Sequence, residues 1–243
     1  MRWVRFLHHN EVRLGEVCED SVSSNKERFA LRSLKLLAPA QPTKIVCVGV
    51  NYRDHAAEMG RAVPQRPVLF FKPPSALIGP EETIYIPNSE RVDYEGEVAL
   101  VIKERCKRVP ASGAYDVILG FTCFNDVTDR ATQAWDLNWV RAKGFDTSAA
   151  LGPILVSPDE LSEPLYLETR VNGQVRQKSD TSQLIFPIPK LIEEITAFMT
   201  LEPGDVIATG TPAGVGPLAP GDTVEVEIHG IGVLRNRVAR ANA

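Results

Sequence analysis

Cysteine is scarce in this chain, and the four present, Cys18, Cys47, Cys106 and Cys123, are widely spaced with no Cys-x-x-Cys pair. That spacing argues against a thiolate zinc site and a disulfide framework, and the mostly apolar neighbours mark all four as small reduced core residues. No apolar run approaches the length of a membrane span. The opening Met1-Arg2-Trp3-Val4-Arg5-Phe6 breaks its apolar character too soon for a secretory signal, so the expected location is the cytoplasm. Basic runs are missing too, and the net charge is −4, which argues against nucleic acid and an anionic membrane surface as partners. Neither an internal repeat nor a low-complexity stretch is present. What is there is a chain of 243 residues, 44% hydrophobic and 24% charged, enough for one large domain with a full core and a small appendage.

The local pattern is rich in strands. Residues 3–7 and 11–18 alternate as two strands joined around His8-His9-Asn10, and a polar stretch covers 19–28. Leu31, Leu34, Leu36 and Leu37 precede Pro39-Ala40-Gln41-Pro42, the expected boundary between a small β-rich domain of residues 1–42 and a main domain of 43–243. An apolar strand over 43–50 leads into a short helix over 51–60, with Asn51 as N-cap and Gly60 at its end. Residues 67–73 and 83–87 are Pro-bounded strands, 128–135 a short helix and 140–147 a loop. Residues 165–176 turn at Asn172-Gly173, 190–199 have helical spacing, and 223–229 with 232–238 form a last hairpin with His229 at its turn. Pro-bounded strands with few, short helices predict a mixed β-rich α+β fold in preference to a parallel α/β sheet.

The chemistry centres on Asp93-Tyr94-Glu95-Gly96-Glu97 and the apolar run that follows it to Ile102. Strand side chains alternate, so Glu95 and Glu97 point the same way and need a cation if they are buried. Asp126 ends the next strong strand. Three oxygen donors with no His or Cys nearby suit Mg²⁺ or Mn²⁺ better than Zn²⁺. The competing reading is a solvated edge strand with its charges turned outward. In the 51–60 helix His55 and Glu58 stand at i and i+3, where a carboxylate can fix the imidazole tautomer and raise its basicity; a plain surface pair is the alternative. Arg130 and Gln133 share a face directed back toward the carboxylates. A lysine in the position of Lys143 is ordinarily solvated, but beside a metal-bound anion it can polarise a substrate oxygen. The glycine-rich loop Gly210–Gly216 can bring backbone N–H groups and the Thr211 hydroxyl to an anion, or be a mere turn.

In chain order, Val48-Gly49-Val50-Asn51-Tyr52 with His55 and Glu58, Phe71-Lys72-Pro73, Glu95-Gly96-Glu97, Asp126 with Arg130 and Gln133, Lys143, and Gly210-Thr211-Pro212-Ala213-Gly214-Val215-Gly216 resemble the fumarylacetoacetate hydrolase family over about residues 44–238. The resemblance is to its compact members: acylpyruvate hydrolases, oxaloacetate decarboxylases and 2-hydroxyhepta-2,4-diene-1,7-dioate isomerases. It implies a β-roll with few short helices, a small N-terminal extension over 1–42, a catalytic domain over 43–243 and a homodimer. It also implies Glu95, Glu97 and Asp126 as ligands of Mg²⁺ or Mn²⁺, with Ca²⁺ able to replace them in crystals. His55 and Glu58 become a dyad on a lid helix, Lys143 a third catalytic residue, and Arg130, Gln133, Thr211 and Lys72 substrate contacts. One departure stands out, Gly144 where many relatives carry Ser. The implied activity is divalent-metal-dependent chemistry on small 2-oxo and 2,4-dioxo acids through an enolate, foremost C–C hydrolysis of an acylpyruvate or fumarylpyruvate. Isomerisation or decarboxylation of a dienedioate or of oxaloacetate remains open, as does a non-catalytic metal- or acid-binding protein, against which His55 and Glu58 argue.

Overall fold

The computed structural model describes residues 1–60 and 62–241. Among them the strands form sheets of twelve, five and three. The middle of the large sheet runs Arg2–His8, Ala149–Val156, Ile118–Asp126, Gly96–Ile102, Val206–Ala208, Ile45–Gly49 and Val68–Lys72 in spatial order. Its neighbours along this path are antiparallel except Val206–Ala208 with Ile45–Gly49. The five-stranded sheet runs Gln174–Asp180, Tyr166–Val171, Thr223–Ile228, Gly232–Arg240 and Thr83–Ile86. Strand Thr223–Ile228 alternates half-buried and buried residues, and its Val224, Val226 and Ile228 share one core with Val98, Leu100 and Ile102 of the large sheet.

Strand Gly96–Ile102 is buried at every residue because both of its faces are covered. Val98 and Leu100 pack toward the five-stranded sheet, while Ala99 and Val101 join a second core with Phe124, Leu151 and Val206. A central strand with two dry faces explains the unbroken apolar run and rules out the solvated edge strand.

Four α-helices are short or peripheral among the described residues: α1 Arg53–Glu58, α2 Arg130–Gln133, α3 Val140–Lys143 and α4 Ile188–Phe198. Only α4 buries an apolar stripe, of Leu191, Ile192 and Ile195, and no helix is long and apolar enough to cross a membrane. Several local expectations need correction. Tyr52, not Asn51, occupies the N-cap of α1. The Asn51 side chain is instead buried, donating to Thr209 O (2.8 Å) and accepting from Phe186 N (2.8 Å). Residues 140–143, expected as loop, coil into α3 from Trp139, whose φ is 57°. The polar 19–28 stretch begins a hairpin, Ser21–Ser24 with Glu27–Ala30, that turns on Asn25 and Lys26 at positive φ. Cys18 is exposed, while Cys47, Cys106 and Cys123 are buried, and all four are free thiols.

The first strands extend the large sheet through Arg2↔Val156 and Trp3↔Leu155, and Val4, Phe6 and Val22 enter the main core. The two larger sheets meet tightly at Gly96, where a Cβ would sit 2.0 Å from Thr169 Oγ1. That hydroxyl is buried without a hydrogen-bond partner, so nothing but volume is lost when it is removed. Gly96→Ala is expected to lower stability by about 1–3 kcal/mol through overpacking. Thr169→Ala alone is expected to cost less, and the double variant to recover part of the Gly96→Ala loss. Urea unfolding of the four proteins measures the coupling; strict additivity would show that the sheets do not meet at this point.

Candidate active site

The chain leaves the three-stranded sheet at the end of strand Val92–Tyr94, passes Glu95 and enters the large sheet at Gly96, so the expected single strand is two strands with Glu95 at the joint. Glu95 is pinned there by its N–H donating to Asn125 Oδ1 (3.1 Å) and its carbonyl accepting from Asp126 N (2.8 Å). As a result Glu95, Glu97 and Asp126 bring carboxylate oxygens within 4.8 Å of one another, all three buried.

Three cations answer that charge. Lys143 Nζ donates to Glu95 Oε2 (2.7 Å) and Asp126 Oδ2 (2.8 Å) from the end of α3. Arg130 Nη2 donates to Glu95 Oε1 (2.5 Å), while its Nε reaches Asp93 Oδ2 (2.9 Å) and its Nη1 reaches Gln133 Oε1 (2.9 Å). Lys72 lies behind the cluster, fully buried, with Nζ 2.8 Å from Asp126 Oδ1. The same Nζ also lies within hydrogen-bond distance of the carbonyls of Val127, Lys143 and Ser148 and of the Ser148 hydroxyl. Lys72 therefore faces backbone and Asp126, and does not line the cavity in front of the cluster.

The electrostatics of Glu95 and Glu97 differ. Burial raises Glu97, and the neighbouring Asp126 and Glu95 charges push it further, well above the usual carboxylate range. Burial acts on Glu95 in the same direction, but Lys143 and then Arg130 outweigh it and hold that carboxyl below its ordinary value. Burial would lower Lys143, yet Asp126 and Glu95 outweigh it, and the ammonium stays charged.

Across the cavity α1 carries the imidazole. His55 Nδ1 lies 3.0 Å from Glu58 Oε2, and Glu58 Oε1 accepts from Gly214 N (3.0 Å), so one carboxylate ties His55 to the glycine-rich loop. His55, Glu95, Glu97, Arg130, Gln133, Lys143 and Thr211 line one narrow cavity of about 30 Å³. A larger groove of about 690 Å³, lined by Leu34, Pro80 and Tyr85 among others, contains none of the candidate site residues.

The Thr211 hydroxyl is already committed, donating to Gly96 O (2.9 Å) and accepting from Gln177 Nε2 (2.7 Å). Gln177 completes the bridge by accepting from Gly96 N (3.0 Å). Gln133 spends its oxygen on Arg130, and its amide nitrogen has no hydrogen bond among the described residues. Gln177, Asn125 and Asn51 escaped the sequence reading, since each reaches the site from a distant segment. Asp93 was more accessible: it precedes Glu95 by two residues in the same alternation. The Gly144 departure also has a structural counterpart. A Cβ there would lie 2.6 Å from Val140 O and 3.1 Å from Pro73 Cδ.

Known proteins share this framework. The solved structure of 5-carboxymethyl-2-hydroxymuconate delta-isomerase from Mycobacterium smegmatis is 44% identical, covers all of both chains and superposes with a TM-score of 0.92. Maleylpyruvate hydrolase from Sphingobium sp. SYK-6, solved with manganese(II) and pyruvate, is 29% identical over the whole of both chains, with a TM-score of 0.86. An oxaloacetate tautomerase of Bacillus subtilis (strain 168) is 41% identical over 225 residues, 86% of this chain and 75% of that protein. The family profile described as fumarylacetoacetate (FAA) hydrolase C-terminal matches residues 44–239. With most of its length matched and the fold shared throughout, the chain belongs to the fumarylacetoacetate hydrolase family.

Proposed function

We propose that the chain is a divalent-metal-dependent enzyme that moves protons on small 2-oxo acids through an enolate, with keto–enol tautomerisation of an oxaloacetate-type acid as its simplest outcome. The observation that carries this reading is His55, paired with Glu58, lining one cavity with Lys143, Glu95 and Glu97, the last two clustered with the buried Asp126.

The donor set fits Mg²⁺ or Mn²⁺. Glu95, Glu97 and Asp126 are hard oxygen donors, all buried, with carboxylate oxygens within 4.8 Å of one another and no nitrogen or sulfur donor in the group. When bound, such an ion supplies Lewis acidity toward the oxygens of a 2-oxo acid. The residues do the rest. Glu58 accepts from His55 Nδ1–H, which leaves Nε2 unprotonated as the base. His55 takes a proton from C3 of the acid, the electron pair moves to the 2-oxo oxygen, and the Lys143 ammonium stabilises the charge developing there. Return of the proton to that oxygen gives the enol, and the reverse sequence gives the ketone. Gln133 offers its free amide N–H to the substrate carboxylate.

A second reading is hydrolysis of a 2,4-dioxo acid, favoured by the same dyad and by the resemblance to maleylpyruvate hydrolase. There His55 takes a proton from water, the hydroxide adds to the C4 carbonyl, and cleavage of C3–C4 returns the electron pair to the pyruvate fragment as its enolate.

His55→Ala is expected to lower kcat by about 10² to 10⁴-fold while leaving Mn²⁺ affinity unchanged. Solvent-deuterium exchange at C3 of oxaloacetate reads the proton step directly; an unchanged exchange rate in the variant would place the base elsewhere.

The Glu97 shift gives a second expectation. A carboxyl whose value is raised on folding contributes its full stability below the unfolded value and loses it as pH rises toward the raised one. The metal-free protein is therefore expected to lose stability as pH climbs above the ordinary glutamate range, and Mn²⁺ to offset that loss. The rise in Tm on adding Mn²⁺ should grow with pH in the parent and vanish in Glu97→Gln, whose metal-free Tm should depend less on pH. An undiminished Mn²⁺ response in Glu97→Gln would remove Glu97 from the ligand set.

A further inference from the structure

The cavity has two unlike walls. Carboxylates, Arg130, Gln133, Lys143 and Thr211 form one; Val48, Val50, Phe70 and Trp139 form the other, with Met59 at the C-cap of α1. The carboxylate and 2-oxo group of a substrate belong against the charged wall, so its remaining substituent must face the apolar one. That wall carries no charged side chain.

Trp139 is the part of it packed from two sides. Its ring meets Phe70 edge-on at 5.4 Å, and Phe70 in turn lies 4.9 Å from Lys143 Nζ. A Cβ on Gly49 would sit 3.4 Å from the far edge of the indole, so the ring rests against bare backbone on its other side. Its main chain holds φ of 57°, a costly conformation for an aromatic residue, fixed by Trp139 N donating to Asp136 O (3.0 Å) and by Lys143 N donating to Trp139 O (2.9 Å). The Asp136 carboxylate caps the same turn by accepting from Arg141 N (2.7 Å). Phe70 is fixed as well, on a strand paired with Ile45–Gly49.

Behind Phe70 and Trp139, and sharing both as lining, lies a second hollow of about 360 Å³ bounded by Val68, Phe71, Leu137 and Val140. The two spaces, about 30 and 360 Å³, are thus separated by two aromatic rings. We infer that Trp139 is the specificity-determining partition of the site, restricting it to 2-oxo acids with short substituents and closing off an outer apolar hollow that would otherwise take an extended alkyl or aryl group. This inference rests on the proposed 2-oxo acid chemistry and adds the size class of the substrate.

The test uses the full-length Mn²⁺-loaded protein, and binding is measured by calorimetry so that it does not depend on which reaction follows. Pyruvate and 2-oxooctanoate are titrated into the parent, Trp139→Phe and Trp139→Ala, with Trp139→Leu replacing the last if it fails to fold. The parent is expected to bind 2-oxooctanoate at least ~10-fold more weakly than pyruvate, the scale on which apolar pockets discriminate by size. Trp139→Ala should improve 2-oxooctanoate binding at least ~10-fold and leave pyruvate within about 3-fold, with Trp139→Phe intermediate. In turnover, kcat/KM for hexanoylpyruvate relative to acetylpyruvate should rise in the same order, through KM more than kcat. An unchanged ratio of affinities across the variants, or a parent that prefers the longer acid, would overturn the partition while leaving the 2-oxo acid reading standing. A parent that binds neither acid would overturn that reading, and the partition with it.

Discussion

Three carboxylates that converge in a dry interior repel one another, and most of the surrounding structure can be understood as a response to that one constraint. Lys143 and Arg130 neutralise Glu95, Lys72 sits against Asp126, and Asp93 with Arg91 holds the guanidinium of Arg130 in place. Among the described residues Glu97 has no such cation at hydrogen-bond distance, and burial together with the Asp126 and Glu95 charges raises its carboxyl well above the usual range. The rigidity needed to keep such a cluster together comes from the central strand, enclosed on both faces by apolar cores.

The parts of this arrangement that were legible in the sequence are those encoded locally. Glu95-Gly96-Glu97 ahead of an apolar run, His55 three residues before Glu58, and Arg130 three before Gln133 each reveal a shared face through strand or helix geometry. The β-rich class was legible for the same reason, from alternation, Pro boundaries and Asn172-Gly173. What escaped depends on contacts between distant segments. Nothing near Gln177 announces that its amide spans Gly96 and Thr211, and nothing near Lys72 says that its ammonium is turned toward backbone carbonyls. Asn51 has the residue type of a helix cap, but tertiary partners in Thr209 and Phe186 claim it first.

Membership of the family brings relatives with different reactions: a tautomerase, an isomerase and a hydrolase by name. One fold therefore carries several reactions, and the reaction of a given member is decided by the residues of its own site. In this chain Gly144 belongs to that individual shaping. The absent side chain lets Pro73 and the α3 turn close together, which is the same approach that brings Lys72 to the Lys143 carbonyl. A serine at this position would have to widen the gap between the two lysine-bearing segments.

The two oxygens of Glu58 serve different masters, one orienting His55 and the other held by the Gly214 N–H. Orientation of the imidazole and attachment of α1 to the glycine-rich loop are therefore a single event at one carboxylate. A substitution at Glu58 would release the imidazole and the attachment to the loop together, and neither can be altered through this carboxylate alone.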